Sequence, residues 1–194
     1  DKVLKDWLND MTYPVGGKLL PEDCYTGALI GCIEGIRSGV TTQLDYMYPH
    51  PVDGLDDAVI RAFRELRIRG IFGRGYMDCG AEFGVRNEIM QTPEKIESDV
   101  RRLVKEYHGT ENGRISICLA PAITWGASEA CLKMTERLKR ELGLLLTVHT
   151  AETMFDREST IALHGLDDLE ILVQYGLLDE QTLLVHCVQL NDRD

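Results

Sequence analysis

Hydrophobic and polar positions along the chain switch between two periods. From Pro21 to Ser38 the residues Ala28, Leu29, Cys32, Ile33 and Ile36 recur at helical spacing, with Pro21 and two acids opening the segment and Gly39 closing it. Val40 to Tyr48 (VTTQLDYMY) then turns β-branched and aromatic, which predicts a strand, and HPVDGLDD follows as a Pro- and Gly-bearing loop. The succession repeats. Asp56 to Leu66 reads as helix and Arg69 to Tyr76 as strand; Pro93 to Tyr107 reads as helix and Arg114 to Ala120 as strand. The spacing of Leu132, Met134 and Leu138 predicts a helix from Ser128 to Leu142, Gly143 takes the position after its last turn, and a strand runs from Leu144 to His149. Asp167 to Tyr175 gives a further helix stopped by Gly176, and Thr182 to Cys187 the last strand.

Near-continuous apolar strands alternating with helices predict a parallel sheet covered by helices. Loops after the strands are longer than those before them, where single glycines suffice. That asymmetry favours a site built from βα loops, so the expected fold class is α/β, a partial (β/α)8 barrel. A doubly wound sheet would call for a GxGxxG turn after its first strand, and none is present. No repeat, low-complexity tract or interdomain linker interrupts residues 1–194, which read as a single, incomplete barrel domain.

Composition excludes more than it selects. With 44% hydrophobic residues in 194, the chain can bury one sizeable core. Thirty-two acids against 21 bases give a net charge of −11, which disfavours nucleic acid and anionic membranes as partners but is compatible with a small substrate in an enclosed pocket. No apolar run is long enough to cross a membrane, and DKVLKDWLND is charged where a signal peptide would be apolar. The six cysteines are scattered without a CxxC pair and mostly lie in apolar segments, so reduced thiols and a cytoplasmic location are expected.

Candidate chemistry sits at two strand ends, in LLLTVHTAET (Leu144 to Thr153) and LLVHCVQL (Leu183 to Leu190). In a parallel barrel, His149 and His186 would converge at the C-terminal face, with Glu152 on the loop just above. Neutral imidazole is a common Zn²⁺ ligand, so His149 is the expected metal ligand and Glu152 the expected proton shuttle. His186 can either ligate the metal or hold the attacking water. Either histidine alone also has a purely structural reading; the two together, one within HxxE, weaken it. Asp45, Tyr46, Arg74 and Tyr76 are expected to face the pocket mouth, Arg74 as a substrate contact, with rim salt bridges as the plainer alternative. Trp125, in PAITWG, can stack on a planar ring or plug a loop. His50, between Pro49 and Pro51, reads as a surface or lid residue, and His108 and His164 as turn and helix-end residues.

The segments DWL before Pro14, GALIGCIEGIRSGVTTQLDYMY, APAITWG, TVHTAET and LVHCVQL together resemble the amidohydrolase superfamily, in particular its cytosine-deaminase-like and chlorohydrolase branch. The resemblance implies a barrel that hydrolyses a C–N bond of a small heterocycle with one divalent metal, Zn²⁺ first and Fe²⁺ second. It makes His149 a metal ligand, Glu152 the general acid/base and His186 the residue that orients the water, and it implies a homo-oligomer. The strand RISICLAPA lacks the lysine of the binuclear branch, which favours one metal. The HxH pair and the eighth-strand aspartate of the family have no counterpart here, so the expectation is a fragment. Members acting on adenosine-like thioethers carry Glu where Gly16 stands and His where Ala122 stands, which argues against a ribosyl-adenine substrate. Dechlorination or cyclic-amide opening on the same scaffold, and a non-catalytic interaction module, are the alternatives.

Overall fold

A computed structural model describes residues 2–192 and 194. The chain begins with a helical strap: α1 (Leu4–Trp7), a π-helical turn (Leu8–Thr12) and α2 (Tyr13–Gly16). Then follow α3 (Pro21–Arg37), β1 (Thr42–Met47), α4 (Leu55–Leu66), β2 (Arg69–Tyr76), α5 (Pro93–Tyr107), the single turn α6 (Thr110–Gly113) and β3 (Ile115–Pro121). The last third holds α7 (Glu129–Leu142), β4 (Leu146–Thr150), α8 (Met154–His164), α9 (Asp168–Gln174) and β5 (Thr182–His186).

The five strands are all parallel and lie in sequence order, forming a curled half-barrel with its helices on the outside. Local signals set the helix boundaries. Asp23 Oδ2 accepts from Leu20 N at 2.9 Å at the start of α3, and Ser128 Oγ accepts from Cys131 N at 3.2 Å at the start of α7. Gly143, at φ 62°, closes α7 in the left-handed region where glycine carries no Cβ penalty. The α8 helix, which lacked a clear apolar stripe in the sequence, is nucleated by Thr153 and Asp156, whose side chains satisfy each other's backbone ends.

Two apolar clusters fill the space between sheet and helices. One joins Leu146 and Val148 of β4 to Leu132, Met134 and Leu138 of α7 and to Leu169 and Leu172 of α9. The other joins Phe72, Ile115 and Ile117 to Val59, Ile60 and Phe63 of α4. The inner face of the half-barrel is more open. Leu145 and Leu183 are 37% and 49% exposed, and Val185 is half-buried, so of the three strand residues that the sequence leads one to expect in the core, Leu145, Val148 and Val185, only Val148 is fully buried there. On α3 only Cys24 and Cys32 are buried, and Ile30, Ile33 and Ile36 remain exposed beside the β1 edge. No helix among the described residues is long and apolar enough to cross a membrane.

Candidate active site

His149 stands one residue before the end of β4, on the inner face. Its Nδ1 lies 2.8 Å from the Ala122 carbonyl oxygen, which can only accept, so Nδ1 carries the hydrogen and Nε2 presents a lone pair. Burial pushes its pKa below the ordinary value, which keeps that lone pair available at neutral pH. The ring is flanked by Tyr46 at 4.4 Å and by His186 at 5.3 Å between centroids. Tyr46 is itself anchored, its Oη donating to Pro121 O at 2.5 Å with Thr147 O at 3.2 Å. A backbone carbonyl that fixes the tautomer of a free-Nε2 histidine is the usual outer partner of an imidazole metal ligand.

His186 reaches the same place by a different route. In register it pairs with Thr150, and strand alternation alone would aim it at the helix layer. It adopts φ 77° instead, and Cys187 follows at 57°. Positive φ in a non-glycine residue is uncommon and concentrates at functional sites. The imidazole Nε2 ends 3.3 Å from Glu152 Oε2. Burial raises the Glu152 pKa, and Asp156 adds to the shift while His186 opposes it.

The loop that carries Glu152 is fixed from below by Asp168, a fully buried carboxylate. It accepts from Ala151 N at 2.9 Å, Thr124 Oγ1 at 2.8 Å and Thr160 Oγ1 at 2.5 Å. Asp156 has a parallel role. Its Oδ1 accepts from Trp125 Nε1 at 3.2 Å and its Oδ2 from Thr153 N at 2.7 Å, so one side chain both caps α8 and holds the indole. These two aspartates escaped the sequence reading; the Thr153-x-x-Asp156 capping pattern was the one available signal.

His149, Glu152 and His186 open onto a cavity of about 280 Å³ walled by Leu4, Trp7, Leu8, Tyr13, Tyr48, Met77, Ala122, Ile123, Trp125 and Asp156. The strap thus forms the roof. It is seated by Gly84, whose φ of 104° and missing Cβ admit the Asn9 side chain; a Cβ there would lie 2.0 Å from Asn9 Oδ1. Trp125 is a fixed wall, 1% exposed, with Phe83 and Phe155 edge-on at 5.4 and 5.6 Å.

Other expected site residues lie elsewhere. Arg74 does not line the cavity. Its register partner is Met47, so it faces the helix layer, where it is fully buried against Asp99 and Gln91. Tyr76 is also fully buried, bonded to Thr135 Oγ1 at 2.8 Å, rather than at the mouth. Asp45 likewise faces away from the cavity, toward Cys24 and Cys32 of α3, both of which feel its charge. His50 is no surface residue: it is 8% exposed, held inward by polar contacts with Asp56 at 2.6 Å and Arg74 at 3.1 Å. His108 accepts from Ile117 N and His164 ends α8, as their settings suggested.

Five parallel strands with outer helices, bearing histidines, a carboxylate and an aromatic cavity on their C-terminal ends, define a barrel that builds its site from βα loops. The sequence pattern of the Amidohydrolase family matches residues 2–194, and the chain belongs to that family. It is 35% identical over 99% of its length to a 5'-deoxyadenosine deaminase of Methanothermobacter thermautotrophicus, and spans 42% of that relative. Among solved structures it superposes on an E. coli guanine deaminase with a TM-score of 0.87 at 25% identity, covering all of this chain and 44% of that one. The same fold recurs in an atrazine chlorohydrolase variant of Arthrobacter aurescens TC1, solved with zinc and atraton. There the TM-score is 0.86 at 21% identity, over 99% of this chain and 44% of that one.

Proposed function

We propose that the chain supplies the acid–base part of a metal-dependent hydrolase site that replaces an amino group on a small heterocycle with the oxygen of water, releasing ammonia. The observation that carries this reading is His149, whose tautomer is set by Ala122 O so that a bare Nε2 faces a cavity shared with the Glu152–His186 pair. Among the described residues no group of three or more His, Cys, Asp or Glu is placed to hold a metal ion, so His149 would be one ligand of a set that other residues complete. The donor type fits Zn²⁺ first and Fe²⁺ second. Bound there, such an ion would acidify an attacking water toward pH 7.

The chain's own residues do the rest. Glu152 takes a proton from the water and passes it to the departing nitrogen, a role suited to a carboxyl with a raised pKa. His186 holds the water's oxygen on the side of the ring that Glu152 faces. Trp125, Tyr48 and Met77 sandwich the heterocycle and exclude bulk water. The six free thiols accord with a reducing, cytoplasmic setting, and assembly as a homo-oligomer belongs to the same reading.

On substrate, the named activity of the archaeal relative points to a deoxynucleoside, whereas two positions here point to a base without its sugar. Ala122 lines the cavity with a methyl group, and Gly16 has Pro49 3.1 Å from where a Cβ would stand, so neither offers a polar contact to a ribose. We favour the free heterocycle. The test is ammonia release by the full-length, metal-loaded protein from aminated purines, pyrimidines and triazines beside 5'-deoxyadenosine. Chloride release from chlorinated triazines without ammonia from any amine would refute the deaminase reading, and preference for 5'-deoxyadenosine would refute the substrate choice.

A further inference from the structure

None of the chemistry above uses the charged groups buried between β2, α4 and α5. At their centre is the Arg74 guanidinium, with no solvent exposure. Nη2 donates to Gln91 Oε1 at 2.6 Å and Asp99 Oδ2 at 2.8 Å. Nη1 donates to Gly75 O and lies 3.1 Å from His50 Nδ1, which is also 3.1 Å from Tyr48 O. On the other side of the ring, His50 Nε2 donates to Asp56 Oδ1 at 2.6 Å.

Three of these contacts, with Gln91, His50 and Gly75, lead to a wall of the substrate cavity. Gln91 N donates to Met77 O at 2.9 Å, so the Arg74–Gln91 bond ties the guanidinium to the Met77 wall. His50 is joined through the rigid Pro49 to Tyr48, the wall on the other side. Gly75 lets the two approach, since a Cβ there would stand 2.7 Å from Tyr48 Cα. A buried ion pair is a weak source of stability compared with apolar residues of the same volume, but a planar fork with fixed donors defines geometry well.

We propose that Arg74 is a positioning residue that sets the separation of the Tyr48 and Met77 walls and thereby the width of the ring the cavity admits. The wall geometry stands on its own; its consequence for substrate rests on the function proposed above.

Two variants separate positioning from simple support. Arg74→Lys keeps the charge but loses the fork, and Gln91→Ala cuts the link to Met77 while leaving the buried guanidinium paired with Asp99. In protein labelled with ¹³C at the methionine methyls, both variants should shift or broaden the Met77 signal and leave Met134, in the α7 core, in place. An unmoved Met77 signal in Gln91→Ala would overturn the proposal, as would equal changes at Met77 and Met134. In the metal-loaded full-length enzyme Gln91→Ala should then raise KM about tenfold with kcat largely kept, the pattern of weakened positioning rather than lost chemistry. If the enzyme proves to have no such activity, the methyl spectra still decide the geometry.

Discussion

Asp45 provides a quantitative check on the packing of sheet against helix. Its carboxylate faces α3, among the described residues no hydrogen bond or ion pair reaches it, and burial raises its pKa from 3.8 to about 6. An acid whose folded-state pKa lies above its unfolded one holds its proton longer when folded. Its full contribution is therefore present below pH 3.8, declines as pH rises through the window to about 6, and stays lost above it. At about 1.4 kcal/mol per unit the shift corresponds to roughly 3 kcal/mol of cost at neutral pH. The residue retains partial contact with water, and discounting for that leaves about 1–2 kcal/mol. Asp45→Asn removes the charge and keeps the shape, so it should stabilise the protein by that amount at pH 8 and by almost nothing at pH 3.5. With an m-value of about 1–3 kcal/mol/M, the urea midpoint should rise by roughly 0.5–1 M at pH 8. The assay is urea unfolding of both proteins at four pH values between 3.5 and 8. A difference that stays constant with pH, or a variant less stable at pH 8, would refute the reasoning.

Four further outcomes are expected. Glu152→Gln should retain metal while kcat falls by about 10² to 10⁴, the scale of a lost general acid/base, and metal analysis beside turnover checks both halves. Leu138→Ala, in the fully buried α7 face, should cost about 2–5 kcal/mol in thermal or urea unfolding, whereas Leu145→Ala, 37% exposed on the open inner face, should stay within about 0.5 kcal/mol. Asp168→Asn places an amide where three donors converge and should cost about 1–3 kcal/mol, with faster hydrogen exchange at Ala151 N as the local sign. Gly84→Ala forces a φ of 104° on a Cβ and displaces Asn9, so about 1–3 kcal/mol should be lost and Trp7 fluorescence should report a loosened strap; unchanged fluorescence would mean the strap is held elsewhere.

The parallel architecture was legible because each strand is a compact apolar run and each outer helix buries one face. All five strands were recognised, the five helices read from periodicity formed, and the order β1 to β5 follows from helical crossovers that bring consecutive parallel strands side by side. What stayed hidden has a physical reason in each case. The strap around Leu4–Gly16 buries nothing across α1 and the π-helical turn, so no stripe announces it. The α8 helix is held by caps and by polar contacts of Thr160 and Asp156 rather than by an apolar face.

Side-chain direction was the harder problem. His149, Glu152 and His186 were nominated from their positions at strand ends, and the structure places all three on one cavity. Arg74 sits at an equally suggestive strand end, yet strand alternation sends it outward with Met47 while Gly73 and Gly75 face in. By the same alternation His186 should also have pointed outward, and it reaches the cavity through a left-handed backbone that strand periodicity does not announce. Two strand-end residues of like promise thus diverge because one keeps the β conformation and the other leaves it. Backbone strain at His186 and Cys187 is therefore part of what assembles the site, and it persists because Cys187 N and Gln189 N are bonded to Thr150 O and Ala151 O at 3.1 and 2.7 Å, clamping the turn to the loop that carries Glu152.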